Sequence, residues 1–266
     1  MSAHSNSPQT AAIRTALVTG GSRGIGRAIA MELARQGCTV AINYRSQADA
    51  ANEAVAAIQA AGGRAIAVAA DVSDAAQTKA MVAHIQQSIG PVDILVNNAG
   101  VLYASRLLDY QETEFDQMWN VNVKGTVHCA AAVAPGMIER GWGRIVNLSS
   151  NAAVGTSMPG TTLYAATKGA VLSLTKRFAL ELGPHGITSN AVLPGFTKTD
   201  MTLATKDASE QDALIEKISG LSMLRRVGEP EDIAAVVGFL CSEAAGFMTG
   251  QFLLADGGRM DYLAMT

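Results

Sequence analysis

Charge is scarce in this sequence. Asp, Glu, Lys and Arg make up 16% of its 266 residues against 48% hydrophobic, and the net charge is −3. No cluster of Lys or Arg occurs anywhere, which excludes the basic footprint of a nucleic-acid-binding protein. Cysteine is scarce too: Cys38, Cys129 and Cys241 are odd in number, widely spaced and without a C-x-x-C pair. That excludes a disulfide framework and a zinc knuckle, and leaves buried free thiols in a reducing compartment. No apolar run approaches the roughly 20 residues of a membrane-crossing helix, and the polar stretch Met1 to Thr10 lacks the apolar core of a signal peptide. The expectation is a soluble, cytoplasmic protein with no nucleic-acid or membrane partner. Residues 1–12 would be a flexible tail and residues 13–266 a single domain with a substantial core.

What is present is organised around Thr19-Gly20-Gly21-Ser22-Arg23-Gly24-Ile25-Gly26. An apolar run leads into it, and Ile25, Ala28, Ile29 and Leu33 follow on one helical face, so the stretch reads as strand, glycine turn, helix. A helix start presents unpaired N–H groups and a partial positive charge, and residues without side chains let a pyrophosphate approach the backbone. Strand and helix signals then alternate. Thr39–Tyr44, Arg64–Asp71, Val92–Val96, Arg144–Leu148, Ile187–Leu193 and Phe252–Ala255 read as strands, and Ser73 is a candidate cap for the helix running toward Gly90. This is the pattern of an α/β fold with a doubly wound parallel sheet.

The end of the second strand bears on the cofactor. An acidic residue there holds the ribose 2′-OH of NAD, whereas this chain has Tyr44-Arg45-Ser46. Together with Arg23 these residues predict a pocket for a 2′-phosphate, hence NADP(H). Further along, Asn97-Asn98-Ala99-Gly100 offers small residues at a strand end, and Asn122 lies in a long helical stretch from about Glu112 to Met137. Tyr164 and Lys168 share one face of a helix read over Leu163–Gly183, and an ammonium beside a phenol is expected to lower the phenol's pKa toward a working range. The segment from about Phe196 to Leu224 lacks a strand signal and is expected to be a lid. Its helical face of Leu214, Ile215 and Ile218 would either cover a mainly apolar pocket or only pack the segment onto the domain.

Taken in order, Thr19–Gly26, Asp71-Val72, Asn97–Gly100, Asn122-Val123-Lys124-Gly125, the serine after the fifth strand, Tyr164-Ala-Ala-Thr-Lys168, Pro194-Gly195 and Asp256-Gly257-Gly258 resemble the short-chain dehydrogenase/reductase family, and in particular its 3-oxoacyl-carrier-protein reductase branch. The resemblance covers about Ile13 to Gly258. It implies a Rossmann-type sheet of seven parallel strands with helices on both faces, and a catalytic set of Asn122, Ser150, Tyr164 and Lys168. Tyr164 would exchange a proton with the substrate oxygen and Ser150 would bond that oxygen. Lys168 would hold the nicotinamide ribose and Asn122 a relay water. The cofactor would lie along Gly20, Ser22, Arg23, Gly24, Ile25 and Gly26, with Tyr44, Arg45 and Ser46 at the 2′-phosphate and Asp71 and Val72 at the adenine. Asn97, Ala99, Gly100, Tyr164, Lys168, Pro194, Gly195 and Thr197 would stand nearer the nicotinamide.

The family places its serine about thirteen residues before the tyrosine. Here Ser150 stands fourteen before Tyr164, Asn151 intervenes, and Ser149 is the competing serine. The implied activity is NADP(H)-dependent hydride transfer between nicotinamide and a small carbonyl compound or secondary alcohol, with an acyl-carrier protein as a partner to be tested. The alternatives are a dehydrogenase of a sugar, steroid or cyclic alcohol and a non-catalytic nucleotide-binding member. The resemblance also implies a homotetramer pairing the Glu112–Met137 and Leu163–Gly183 helices, with an apolar strand Phe252–Ala255 near an edge.

Overall fold

A computed structural model describes residues 13–203 and 207–262. The tail expected over residues 1–12, and residues 204–206 of the expected lid, lie outside the described residues. Seven strands form one parallel sheet: β1 (Thr15–Val18), β2 (Thr39–Tyr44), β3 (Arg64–Ala69), β4 (Val92–Asn97), β5 (Gly143–Leu148), β6 (Ile187–Pro194) and β7 (Phe252–Ala255). Their order is β3-β2-β1-β4-β5-β6-β7. The helices are α1 (Gly24–Arg35), α2 (Ala48–Ala60), α3 (Ala75–Ile89), α4 (Glu112–Met118), α5 (Gly125–Arg140), α6 (Thr162–Leu182), α7 (Asp200–Leu203), α8 (Ala208–Gly220) and α9 (Pro230–Cys241). The doubly wound seven-stranded sheet read from the sequence is the fold observed.

Most strand positions are apolar because both sheet faces are covered. Ala16, Val18, Val40, Ile42, Val96 and Val146 point to one face, where Ile29 and Leu33 of α1, Ile58 of α2 and Val237 and Leu240 of α9 pack on them. The intervening residues Leu17, Ala41, Leu95 and Ile145 point to the other, against Met81 and Ile85 of α3 and Cys129, Val133 and Met137 of α5. The period-two alternation within each strand thus divides one apolar sheet between two cores. The order reverses at β1, which lies between β2 and β4. That opens a crevice at the carboxyl ends of the strands, where ligands bind in open α/β sheets.

Several local expectations are corrected. The third strand stops at Ala69, so Asp71 lies in the turn beyond it. Asp74 rather than Ser73 caps α3, its Oδ1 accepting from the amides of Ala76 and Gln77 at 2.8 and 3.1 Å. Ser73 instead donates through Oγ to Asp71 Oδ1 at 2.7 Å. The stretch read as one long helix is interrupted by a π-helical segment, Trp119–Lys124, which contains Asn122. All three cysteines are free and buried. Among the described residues, no helix is long and apolar enough to cross a membrane.

Candidate active site

A cavity of about 380 Å³ runs along the carboxyl ends of the strands. One end begins at the glycine turn. Gly20 has φ +60, and a Cβ there would come within 3.0 Å of Ala99 Cα; a Cβ on Gly26 would sit 2.3 Å from the Gly20 carbonyl oxygen. No side chain therefore fits either place, and the backbone comes close to the ligand space. The N-cap of α1, Arg23, makes no side-chain capping bond, so the helix's first N–H groups face a cavity lined by Ser22, Arg23, Gly24, Ile25 and Gly26. Asn43, buried in β2, holds the turn in place: its Oδ1 accepts from the Gly20 amide at 3.3 Å, and its Nδ2 donates to the carbonyl of Ala70 at 3.0 Å. Asn98 fixes the turn from the opposite side through Nδ2, donating to the carbonyls of Thr19 and Gly20 at 2.9 and 3.0 Å.

Tyr44, Arg45 and Ser46 line the same end, as do Asp71 and Val72. Arg45 reaches Asp71 only at 3.9 Å and Arg23 reaches Asp200 at 3.4 Å, with both arginines largely exposed. Such exposed ion pairs hold a side chain weakly, so two guanidinium groups stand ready for an anion. The donor set, an uncapped helix start beside two loosely held arginines, fits a pyrophosphate and a ribose phosphate. A dinucleotide matches the cavity chemistry.

At the other end stand Ser150, Tyr164 and Lys168, with Pro194, Gly195 and Thr197 beside them. The two candidate serines are separated by their bonds. Ser149 Oγ donates to the Lys168 carbonyl at 2.9 Å and so ties β5 to α6. Ser150 Oγ accepts from the Ala152 amide at 3.1 Å and lies beside the Tyr164 side chain, where it favours the phenolate. A short 3-10 turn, Asn151–Val154, follows Ser150 on the way to Tyr164. The buried Lys168 ammonium donates to the Leu148 carbonyl at 2.8 Å and stands 5.7 Å from the centroid of the Tyr164 ring. Its presence does not produce the expected lowering of the phenol pKa. Burial pushes Tyr164 up to about 12, opposed by Ser150, and burial brings Lys168 down to about 8. Desolvation outweighs the neighbouring charge for both groups.

Two sequence-selected residues do not line the cavity. Asn97 is turned into the sheet, where its Nδ2 donates to Asn147 Oδ1 at 2.8 Å; Asn147 in turn donates to Thr175 Oγ1 at 2.9 Å. Of the run Asn97–Gly100, it is Asn98, Ala99 and Gly100 that reach the wall. Asn122 is fully buried: its Oδ1 accepts from the Val101 amide at 2.9 Å, and its Nδ2 donates to the Val101 carbonyl at 3.0 Å and Thr167 Oγ1 at 3.1 Å. Its side chain is spent on pinning the loop after β4 to α6. The helix of the lid follows the second of its two expectations. The lid's opening residues, Phe196, Thr197 and Thr199 to Thr202, line the cavity, while Leu214, Ile215 and Ile218 do not. Ile218 is buried, so that face packs α8 onto the chain.

Asn43 and Arg259 are among the lining residues that escaped the sequence reading. Asn43 was detectable as the one amide in an otherwise apolar strand. Arg259, buried and paired to Asp261 at 2.7 Å, carried no motif signal. Among the described residues, no group of His, Cys, Asp or Glu is arranged to hold a metal ion.

The chain matches a family model described as enoyl-(acyl carrier protein) reductase over residues 20–259. It is 43% identical over 246 residues to the 3-oxoacyl-[acyl-carrier-protein] reductase FabG of Staphylococcus epidermidis, covering 92% of this chain and 98% of that protein. A short-chain dehydrogenase/reductase from Serratia marcescens superposes with a TM-score of 0.86 at 36% identity, over 93% of this chain and 98% of the other. A blue fluorescent protein from a metagenomic library, solved in complex with NADPH, does so with a TM-score of 0.84 at 38% identity, over 92% and 97%. With the glycine turn, the Ser150–Tyr164–Lys168 wall and these likenesses together, the chain belongs to the short-chain dehydrogenase/reductase family of oxidoreductases.

Proposed function

We propose that this protein is an NADP(H)-dependent carbonyl reductase whose substrates include 3-oxoacyl thioesters. The observation that supports this best is the placing of Ser150, Tyr164 and Lys168 on one wall of a cavity whose far end carries an uncapped helix start and two arginines. Bound NADPH supplies the hydride to the carbonyl carbon. The protein does the rest. Ser150 orients and polarises the carbonyl oxygen, and the Tyr164 phenol gives that oxygen its proton as the C–H bond forms, leaving an alcohol. Lys168 holds a ribose hydroxyl and offsets the charge left on the phenolate, which takes a proton back from solvent. Arg23, Arg45 and Ser46 hold the 2′-phosphate, Asp71 and Val72 border the adenine, and Ala99, Gly100, Pro194, Gly195 and Thr197 border the nicotinamide.

A carrier-protein partner would need a positive rim. Its candidates are already engaged: Arg140 pairs with Asp93 at 3.1 Å, Arg144 is buried, Lys176 lies over the Phe252 ring at 4.8 Å and Arg177 pairs with Glu181 at 3.7 Å. This favours a small thioester or free ketone over recognition of the carrier itself. The proposed setting is cytoplasmic and the proposed assembly a homotetramer. Initial rates with NADPH and NADH on acetoacetyl thioesters and on cyclic and aromatic ketones test the reading. Turnover of the thioester with NADPH is expected. Turnover of free ketones alone would remove the thioester assignment, and a preference for NADH would remove the cofactor assignment.

A further inference from the structure

The substrate end of the cavity has a polar corner that the reduction itself does not use. Asn151, directly after Ser150, lines the cavity and is 7% exposed, and its Nδ2 has no hydrogen-bond partner among the described residues. A buried amide donor left unpaired is costly unless something supplies an acceptor. The Tyr262 hydroxyl, which donates to Asp256, lies beside the Asn151 side chain without meeting hydrogen-bonding geometry for Nδ2.

The C-terminal segment builds this corner. Arg259 lines the cavity, and its Nε and Nη2 are both taken by Asp261 at 2.7 Å. The Asp261 carbonyl accepts from the Ser157 amide at 3.0 Å, and Tyr262 bridges to Thr156. The charges here are one guanidinium against the carboxylates of Asp256 and Asp261, so the corner offers a donor without offering net positive charge. A carboxylate substrate gains nothing there by Coulomb attraction, whereas a neutral carbonyl oxygen accepts from the amide at no charge penalty.

We infer that Asn151 is a specificity-determining residue whose side-chain amide donates a hydrogen bond to a second, uncharged oxygen of the substrate, the ester, thioester or ketone oxygen of a 1,3-dicarbonyl compound. With Ser150 and Tyr164 on the reacting oxygen and Asn151 on the second, the two adjacent positions Ser150 and Asn151 read the two carbonyls. This rests on the carbonyl-reductase reading above.

The test is steady-state kinetics with NADPH on ethyl acetoacetate, free acetoacetate and 2-pentanone, for the wild type, Asn151→Ala and the isosteric Asn151→Asp, with melting temperatures recorded alongside. The wild type should prefer ethyl acetoacetate to both others by roughly tenfold in kcat/KM. Asn151→Ala should shrink the ester-over-pentanone preference by roughly three- to tenfold, through KM rather than kcat. Asn151→Asp, which turns the donor into an acceptor, should shrink it further. Equal losses on ester and pentanone would make Asn151 merely structural, and a wild-type preference for free acetoacetate would overturn the neutral-oxygen assignment. If the wild type reduces pentanone and ester equally well, the inference fails while the reductase reading stands. If it reduces none of the three, the reductase reading fails and the inference with it.

Discussion

Lys168 donates its 2.8 Å hydrogen bond to the Leu148 carbonyl, at the end of β5, while standing 5.7 Å from the centre of the Tyr164 ring. The ammonium is thereby anchored to the strand that leads into Ser149 and Ser150, and α6 is tied to the substrate wall. Because Tyr164 has a raised pKa, it is a protonated phenol at neutral pH, the form needed to reduce a carbonyl. Tyr164→Phe should lower turnover by about 10²- to 10⁴-fold while leaving NADPH affinity within a fewfold, because it removes the proton donor and little else. Cofactor fluorescence titration beside initial rates checks this. Parallel loss of binding and turnover would make Tyr164 structural.

The same pair gives a pH prediction of definite sign. Burial holds the Lys168 pKa at about 8, below its usual 10.5, so folding favours the neutral amine. Between those two values the unfolded chain binds more protons than the folded one, and this group's contribution to stability rises with pH across that window. Lys168→Met removes the cost of burying the charge below pH 8. The variant should therefore melt at least as high as the wild type at pH 7, and its advantage should shrink as pH rises toward 10. A Lys168→Met advantage that grows with pH would contradict the assignment. Turnover should nonetheless collapse in the variant, most severely for alcohol oxidation at neutral pH, which needs the phenolate.

Arg45 lies at the end of β2 where an acidic residue would otherwise meet a ribose hydroxyl, and among the described residues its one ion pair is a 3.9 Å contact with Asp71. Arg45→Ala should raise KM for NADPH by about ten- to a hundredfold, the usual worth of a charge-assisted bond, and leave KM for NADH almost unchanged. Equal effects on both cofactors, measured by initial rates, would place Arg45 away from the 2′-phosphate.

Asn43 couples three elements through one amide. It bonds the Gly20 amide on one side and the carbonyls of Val68 and Ala70 on the other. Asn43→Leu would leave these groups unpaired in a buried place, at a cost of about 1–3 kcal/mol. Chemical denaturation should show that loss, and the dissociation constant for NADPH should rise because the glycine turn is no longer held. An unchanged cofactor affinity in a destabilised protein would confine Asn43 to a packing role.

Much of this was legible because period-two and period-3.6 patterns are local. β2 and β7 run over the ranges read from the sequence, and the glycine turn lies where strand and helix signals flank it. The misreadings have a common cause. Asn97, Asn98 and Asn122 all sit beside the site in sequence, but which amide faces the cavity depends on long-range partners: Asn147 for Asn97, Thr19 and Gly20 for Asn98, Val101 and Thr167 for Asn122. The π-helical turn around Asn122 adds a shift that no 3.6-residue pattern contains. Likewise the Tyr164–Lys168 spacing gives proximity but not burial, and burial decides the direction of both pKa shifts. Arg259 reaches the cavity only because the C-terminal segment folds back beside Leu221 to Leu224.

β7 has a single neighbour, β6, and so forms an edge of the sheet, with Phe252 39% and Leu254 52% exposed. Phe239 on α9, Met223 and Leu224 are also exposed. An apolar edge strand with further apolar side chains exposed on the chain is a liability in a monomer and an asset in a symmetric oligomer. Light scattering at micromolar concentration should give the mass of a tetramer, four times 27.6 kDa. Leu254→Lys places a charge on the exposed strand, far from Tyr164 in sequence and absent from the cavity wall. It should shift the mass to that of a smaller species without unfolding the protein by circular dichroism. A wild-type monomer would refute the tetramer outright, and a tetramer that tolerates Leu254→Lys would move the interface away from β7 to the α4, α5 and α6 helices.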